Sequence, residues 1–152
     1  MRKGEASALR WSFVHGDSII VPAGVCKNKK PHRIPVAGSL SAIIERRKAA
    51  RAFKVMDTTQ LSEFIFHRGE GKPVKEFRKS WKTACGKAEC SGHIFHDLRR
   101  TACSDMIDAG VPQSVVMSIS GHKTIAVFLR YALASDDSKA EALEKTEKYR
   151  AG

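Results

Sequence analysis

His96 to Arg100 read HDLRR, and Ser120 to Tyr131 read SGHKTIAVFLRY. The first stretch sets His96 and Arg99 three residues apart, a spacing that puts both on one face of a helix. The second places His122 behind Gly121, a residue that lets the backbone turn closely, with Tyr131 nine residues further on. A phosphodiester cleaved without a metal needs a nucleophile, positive charge on its non-bridging oxygens and an acid for the departing sugar oxygen. Tyr131 is the candidate nucleophile. Its phenol ordinarily ionises only near ~10, so neighbouring cations are needed to activate it. Arg99 has the guanidinium fork that clasps two phosphate oxygens, where a lysine offers a point charge. His96, with an ordinary pKa close to neutral, is placed to take the phenol proton, and His122 to donate a hydrogen bond to the phosphate.

Around these stretches the chain reads as mostly helical. Residues 2 to 11 carry Ala6 and Leu9, and Arg2 and Glu5, at three-residue spacing, a pattern that predicts a helix with one polar and one apolar stripe. SIIVP (Ser18 to Pro22) and RIPV (Arg33 to Val36) are short β-prone runs on either side of the basic segment CKNKKPH, which predicts a hairpin-like pair with a lysine-rich turn. SLSAIIERRKAARAF (Ser39 to Phe53) reads as one amphipathic helix with Arg46, Arg47 and Lys48 facing solvent. A brief strand is expected near Glu63 to Phe66, then a helix through Trp81 to about Lys87, with Phe77 and Trp81 packed in the core. The last third predicts a helix from about His96 to Ala109 stopped by Gly110, another starting near Pro112, a third over Thr124 to Tyr131 and a charged final helix over residues 136 to 149.

Composition narrows the class of partner. The chain has 152 residues, 27 Lys and Arg against 16 Asp and Glu, and a formal net charge of +11. That balance favours a polyanion such as nucleic acid. The length suits a single domain. No run approaches the ~20 apolar residues of a membrane span, and MRKGEASALRW lacks a secretory core, so a cytoplasmic protein is expected. Cys26, Cys85, Cys90 and Cys103 then read as reduced packing residues rather than disulfides. The run Cys85, Cys90, His93, His96 has metal-ligating side chains, but its spacing departs from the common zinc patterns.

The ordered set closely resembles the C-terminal half of the tyrosine recombinase, or phage integrase, family. In that family a further arginine begins an early helix within a segment of the form Thr-Gly-x-Arg-x-x-Glu, followed by an apolar-x-Trp. MRKGEASALRW matches it from its second residue, which makes Arg2 the first catalytic arginine and Glu5 its acidic partner, with Leu9 and Trp11 holding the helix down. The family's lysine lies in a β-hairpin turn some eight residues before a proline. CKNKKPHRIP places Lys27 there, ahead of Pro35, as general acid for the leaving 5′-oxygen, with Lys29 and Lys30 as rivals. The resemblance extends through FIFHRGEGKPVKEFRKSWKTAC, the kind of segment that precedes HDLRR.

What the resemblance implies is a mainly α-helical catalytic domain with a small antiparallel β-sheet (α+β), breaking and rejoining double-stranded DNA at attachment sites. It implies a transient 3′-phosphotyrosyl bond, strand exchange within a tetramer of recombinase protomers, and neither metal nor nucleotide cofactor. By the same match, residues 1–152 are one catalytic domain cut at its N-terminal edge, and the family's upstream DNA-binding domain is expected to be absent from it. Two other functions share these features. One is a basic DNA-binding remnant without catalysis, and the other is a type IB topoisomerase-like enzyme that relaxes supercoils without specific sites.

Overall fold

Ser18–Val21 (SIIV) is buried at three of its four positions and so becomes the middle strand of the first sheet. The computed structural model describes residues 1–122, 124–128 and 136–151. These fall into two units, Met1–His96 and Asp97–Gly152. In chain order the first unit carries α1 (Lys3–Ser7), a 3-10 turn (Trp11–Phe13), β1 (Val14–His15), β2 (Ser18–Val21), β3 (His32–Pro35) and α2 (Ser39–Ala49). There follow β4 (Ala52–Val55), β5 (Thr58–Leu61), β6 (His67–Arg68), β7 (Lys72–Pro73) and α3 (Arg78–Lys87). The second unit carries α4 (Asp97–Asp108), α5 (Gln113–Ser120), α6 (Ile125–Phe128) and α7 (Asp136–Ala151). The expected class, mainly α with small antiparallel β-structure, is what the chain adopts.

Among the described residues the strand pairs are all antiparallel: β1-β2-β3, β4-β5 and β6-β7. In the first sheet Ile19 faces Ile34 and Val21 faces His32. Pro35 pairs with Ser18 on edge strand β3, where a missing N–H costs no central ladder bond. Ile19 and Val21 point inward to a core completed by Leu9, Cys26, Ile44 and Ile65. The predicted pair around CKNKKPH is thus present, with one further short strand beside it.

Several expectations change. The helix read over residues 2 to 11 stops at Ser7, because the next residues pair across the chain: Ile65 N–H donates to the Leu9 carbonyl at 2.9 Å and Trp11 N–H to the Glu63 carbonyl at 2.9 Å. The brief strand expected near Glu63 to Phe66 is the other side of this bridge, centred on Arg10 and Phe64. The helix read as far as Phe53 ends at Ala49, and Phe53 lies on β4. Its ring packs onto Gly71, whose φ of +69° and lack of a side chain leave room that a Cβ would fill at 2.5 Å. The β4-β5 hairpin, turning at Met56 and Asp57, was not anticipated. Arg47, expected in solvent, donates from Nε to the Ile65 carbonyl at 2.9 Å, while Arg46 and Lys48 are exposed.

Phe77 and Trp81 meet not in the main core but on Phe95, both edge-on, with centroids 5.1 and 5.3 Å away. They are half-buried. Trp81 Nε1 also donates to the His93 carbonyl at 2.9 Å, so the segment leading to His96 is fastened to α3.

In the second unit Cys103, Val116 and Phe128 form a core flanked by Met106, Ile107, Val111 and Met117. The boundary between α4 and α5 follows the expected punctuation, while the helix expected over Thr124 to Tyr131 is seen as Ile125–Phe128 and its expected end lies outside the described residues. After α4, Gly110 takes φ +76°, its N–H reaches the Ile107 carbonyl and Val111 N–H the Met106 carbonyl, the usual way a left-handed residue closes a helix. Pro112 caps α5. No helix among the described residues is long and apolar enough to cross a membrane.

Candidate active site

α1 begins at Lys3 with Arg2 at its N-cap. Glu5, only 6% exposed, turns its carboxylate back to this end. Oε2 accepts the Arg2 backbone N–H at 2.8 Å and Oε1 the Arg2 guanidinium at 3.2 Å. Oε1 also accepts the backbone N–H of Lys27 at 3.2 Å, 22 residues away in the chain. One buried carboxylate therefore binds the first arginine and the candidate lysine turn together.

The turn itself is shaped from within. Val25 and Cys26 donate to the Pro22 carbonyl, and Lys29 N–H donates to the Cys26 carbonyl. Cys26 is buried and gives its thiol to the Val21 carbonyl at 3.7 Å. Burial and the Glu5 carboxylate push that thiol up, which keeps it protonated at neutral pH. Among the three lysines, Lys27 has the backbone tie to Glu5. Lys29 sits at φ +57°, and Lys30 N–H is held locally by Asn28 Oδ1 at 3.2 Å. The side chains of all three are exposed.

Burial raises the Glu5 pKa, but the hydrogen bonds from Arg2 and Lys27 and the Arg2 charge outweigh it, and the carboxyl titrates below its usual 4.5. Glu5 is thus ionised at neutral pH. A depressed folded pKa contributes stability that is complete above the unfolded value and is lost as pH falls through the folded one. Glu5→Gln is expected to destabilise the first unit by about 1–2 kcal/mol at pH 7, since hydrogen bonds to a charged group are lost, and the difference from wild type should shrink below pH 4.5. Urea unfolding followed by tryptophan emission measures it, because both tryptophans, Trp11 and Trp81, lie in this unit.

His96 is half-buried in the turn immediately before α4, rather than within the helix. Arg99, in the first turn of α4, is 8% exposed. Its neighbour Arg100 is exposed and paired with Asp97 at 3.3 Å. HDLRR thus offers one arginine buried in the fold and one on its surface.

α5 ends on Gly121 at φ 73°, and the N–H groups of Gly121 and His122 both donate to the Met117 carbonyl, at 2.8 and 3.1 Å. This hook folds the His122 ring back over the helix end. There Nδ1 lies 2.8 Å from Ser120 Oγ, and the ring stands edge-on to Phe128 at 5.9 Å. Ser120, 5% exposed, was not singled out from the sequence. Its position before Gly-His was visible, but only the left-handed turn brings its hydroxyl to the imidazole. Tyr131 lies outside the described residues. Arg2, Glu5 and Lys27 are thus gathered in the first unit, Ser120 and His122 in the second.

No three His, Cys, Asp or Glu side chains among the described residues are grouped so as to hold a metal ion. Cys85 is buried and Cys90 half-buried, both free thiols.

The chain is 30% identical over 121 residues to Transposase B from transposon Tn554 of Staphylococcus aureus, an alignment covering 74% of this chain and 19% of that protein. It is 40% identical over 80 residues to the integrase of Salmonella phage P22, covering 45% and 21%. The chain therefore spans about a fifth of the length of these curated relatives. Among solved structures, the Tn1549 transposon integrase in complex with a circular intermediate DNA superposes with a TM-score of 0.69 at 22% identity, over 95% of this chain and 54% of that one. The same integrase in complex with transposon right end DNA gives 0.65 at 21% identity, over 95% and 54%. These share its fold. Residues 1–138 match the phage integrase family, and the chain belongs to that family.

Proposed function

We propose that this chain is the catalytic part of a site-specific recombinase that cuts and rejoins double-stranded DNA at attachment sites through a 3′-phosphotyrosyl intermediate. The observation that carries the reading is the buried Glu5 carboxylate, which ties Arg2 and the Lys27 turn into one corner. A mere basic surface has no need to bury an acid for this purpose. Family membership and the charge of +11 support it further.

In the reaction the Tyr131 oxygen attacks the scissile phosphorus while His96 takes the phenol proton. Arg2 and Arg99 neutralise the non-bridging oxygens, and His122 donates a hydrogen bond to one of them. As the bond from phosphorus to the 5′-oxygen breaks, Lys27 supplies that oxygen's proton. The phosphotyrosyl ester keeps the bond energy, so a 5′-hydroxyl from another strand reverses the steps and releases Tyr131. Exchange between duplexes requires other protomers, most simply a tetramer on DNA, and the setting is the cytoplasm, where a prokaryotic or phage-encoded enzyme meets its sites.

The test is covalent trapping. Incubated with a nicked duplex that loses its 5′-hydroxyl strand after cleavage, the chain is expected to give a protein–DNA adduct that survives a denaturing gel. Salt-sensitive retention of the duplex with no adduct, either from this chain or from one extended by upstream sequence, would replace the reading with a binding-only protein. Relaxation of a supercoiled plasmid that lacks any attachment site would replace it with a topoisomerase-like enzyme.

A further inference from the structure

We propose that Ser120 is a positioning residue that keeps a proton on His122 Nε2, so that the ring presents a hydrogen-bond donor to the scissile phosphate. The inference rests on the recombinase reading for its purpose, but not for its geometry.

A serine hydroxyl has one proton to give, and Ser120 Oγ has two acceptors within reach: His122 Nδ1 at 2.8 Å and the Met117 carbonyl at 3.3 Å. The Met117 carbonyl already receives two backbone donors, Gly121 N–H at 2.8 Å and His122 N–H at 3.1 Å, which compete for its two lone pairs and leave the hydroxyl only a long, shared contact there. An O–H···O bond also prefers about 2.7–2.8 Å. The hydroxyl proton therefore goes to Nδ1. A neutral imidazole whose Nδ1 accepts must carry its proton on Nε2.

The arrangement also tolerates protonation of the ring. In the imidazolium, Nδ1–H donates to Ser120 Oγ, and the hydroxyl proton swings to the longer Met117 contact. Nε2 stays protonated in both states. Without the hydroxyl Nδ1 loses its donor, and a neutral proton placed there leaves Nε2 to offer the anionic phosphate a lone pair. Ser120 is buried and the Phe128 ring stands edge-on to the imidazole, so the hydroxyl meets Nδ1 from a fixed side.

The experiment is nitrogen-15 NMR of the histidine side chains in the whole chain, with His122 assigned from the spectrum of His122→Gln, alongside the trapping assay. In the wild type, His122 is expected to show an unprotonated Nδ1 and a protonated Nε2 above its pKa. Ser120→Ala should move both resonances toward the average of exchanging tautomers, slow adduct formation roughly tenfold, less than the 10²–10³ of deleting an oxyanion donor, and leave DNA retention unchanged. Ser120→Thr, which restores a hydroxyl, should recover both the signature and the rate. A wild-type His122 protonated at Nδ1, or a Ser120→Ala protein with unaltered resonances and rate, overturns the proposal. The wild-type spectrum decides even if Ser120→Ala fails to fold. The expected tautomer in a protein that never forms an adduct would instead count against the recombinase reading alone.

Discussion

Tyr131→Phe should reduce the covalent DNA adduct below detection, a loss of roughly 10⁴-fold or more, as expected when the nucleophile of a covalent mechanism is removed. The substitution deletes one oxygen and keeps the ring, so binding to the duplex should be unchanged. The chain supplies its own control. It has two tyrosines, Tyr131 and Tyr149, and Tyr149 stands 88% exposed on α7. Tyr149→Phe should form the adduct at the wild-type rate. Reversal of the two results would move the nucleophile to Tyr149, and an adduct that survives Tyr131→Phe would remove Tyr131 from the chemistry.

The second large effect is expected at Arg99. A lysine there keeps the charge but loses the planar fork that meets two phosphate oxygens at once, so Arg99→Lys should slow cleavage by roughly 10²–10³. Arg100→Lys should change it no more than a few-fold. The difference follows from the first turn of α4: Arg99 is almost wholly buried, whereas Arg100 is exposed and paired with Asp97, a kind of ion pair that contributes about 0–1 kcal/mol. Single-turnover cleavage on a nicked duplex, with retention measured in parallel, separates loss of chemistry from loss of binding. Equal sensitivity at the two positions would show that HDLRR acts by its charge alone.

Much of the second unit was legible residue by residue. Gly110 and Gly121 lie within about two residues of the helix ends that they close, and Pro112 stands directly before the helix it starts. Such signals act through the residue's own backbone freedom or missing N–H, so neighbours hundreds of atoms away have little say. The first unit was less legible. Ala50 and Phe53 sit at helical spacing after Ile43 and Ile44, yet Phe53 went into a strand. The ladder of Ala52 with Leu61 and Val55 with Thr58, and the bare face of Gly71, outweighed a weak local preference. In the same way the helix at Arg2 was cut short by backbone bonds to residues 63 and 65.

By itself the sequence determined the family and the chemical groups at hand: a phenol, imidazoles, guanidiniums and lysines in a fixed order, together with helix limits written in glycine and proline. These depend on residue type and short spacing, which the chain carries whether folded or not. Tertiary structure alone decided which of two adjacent arginines is buried, which of three lysines shares the Glu5 carboxylate, and that Ser120 reaches His122. Those choices turn on hydrogen bonds across 22 residues or around a left-handed turn. A contact of that kind exists only once the fold has met the entropy cost of bringing its ends together.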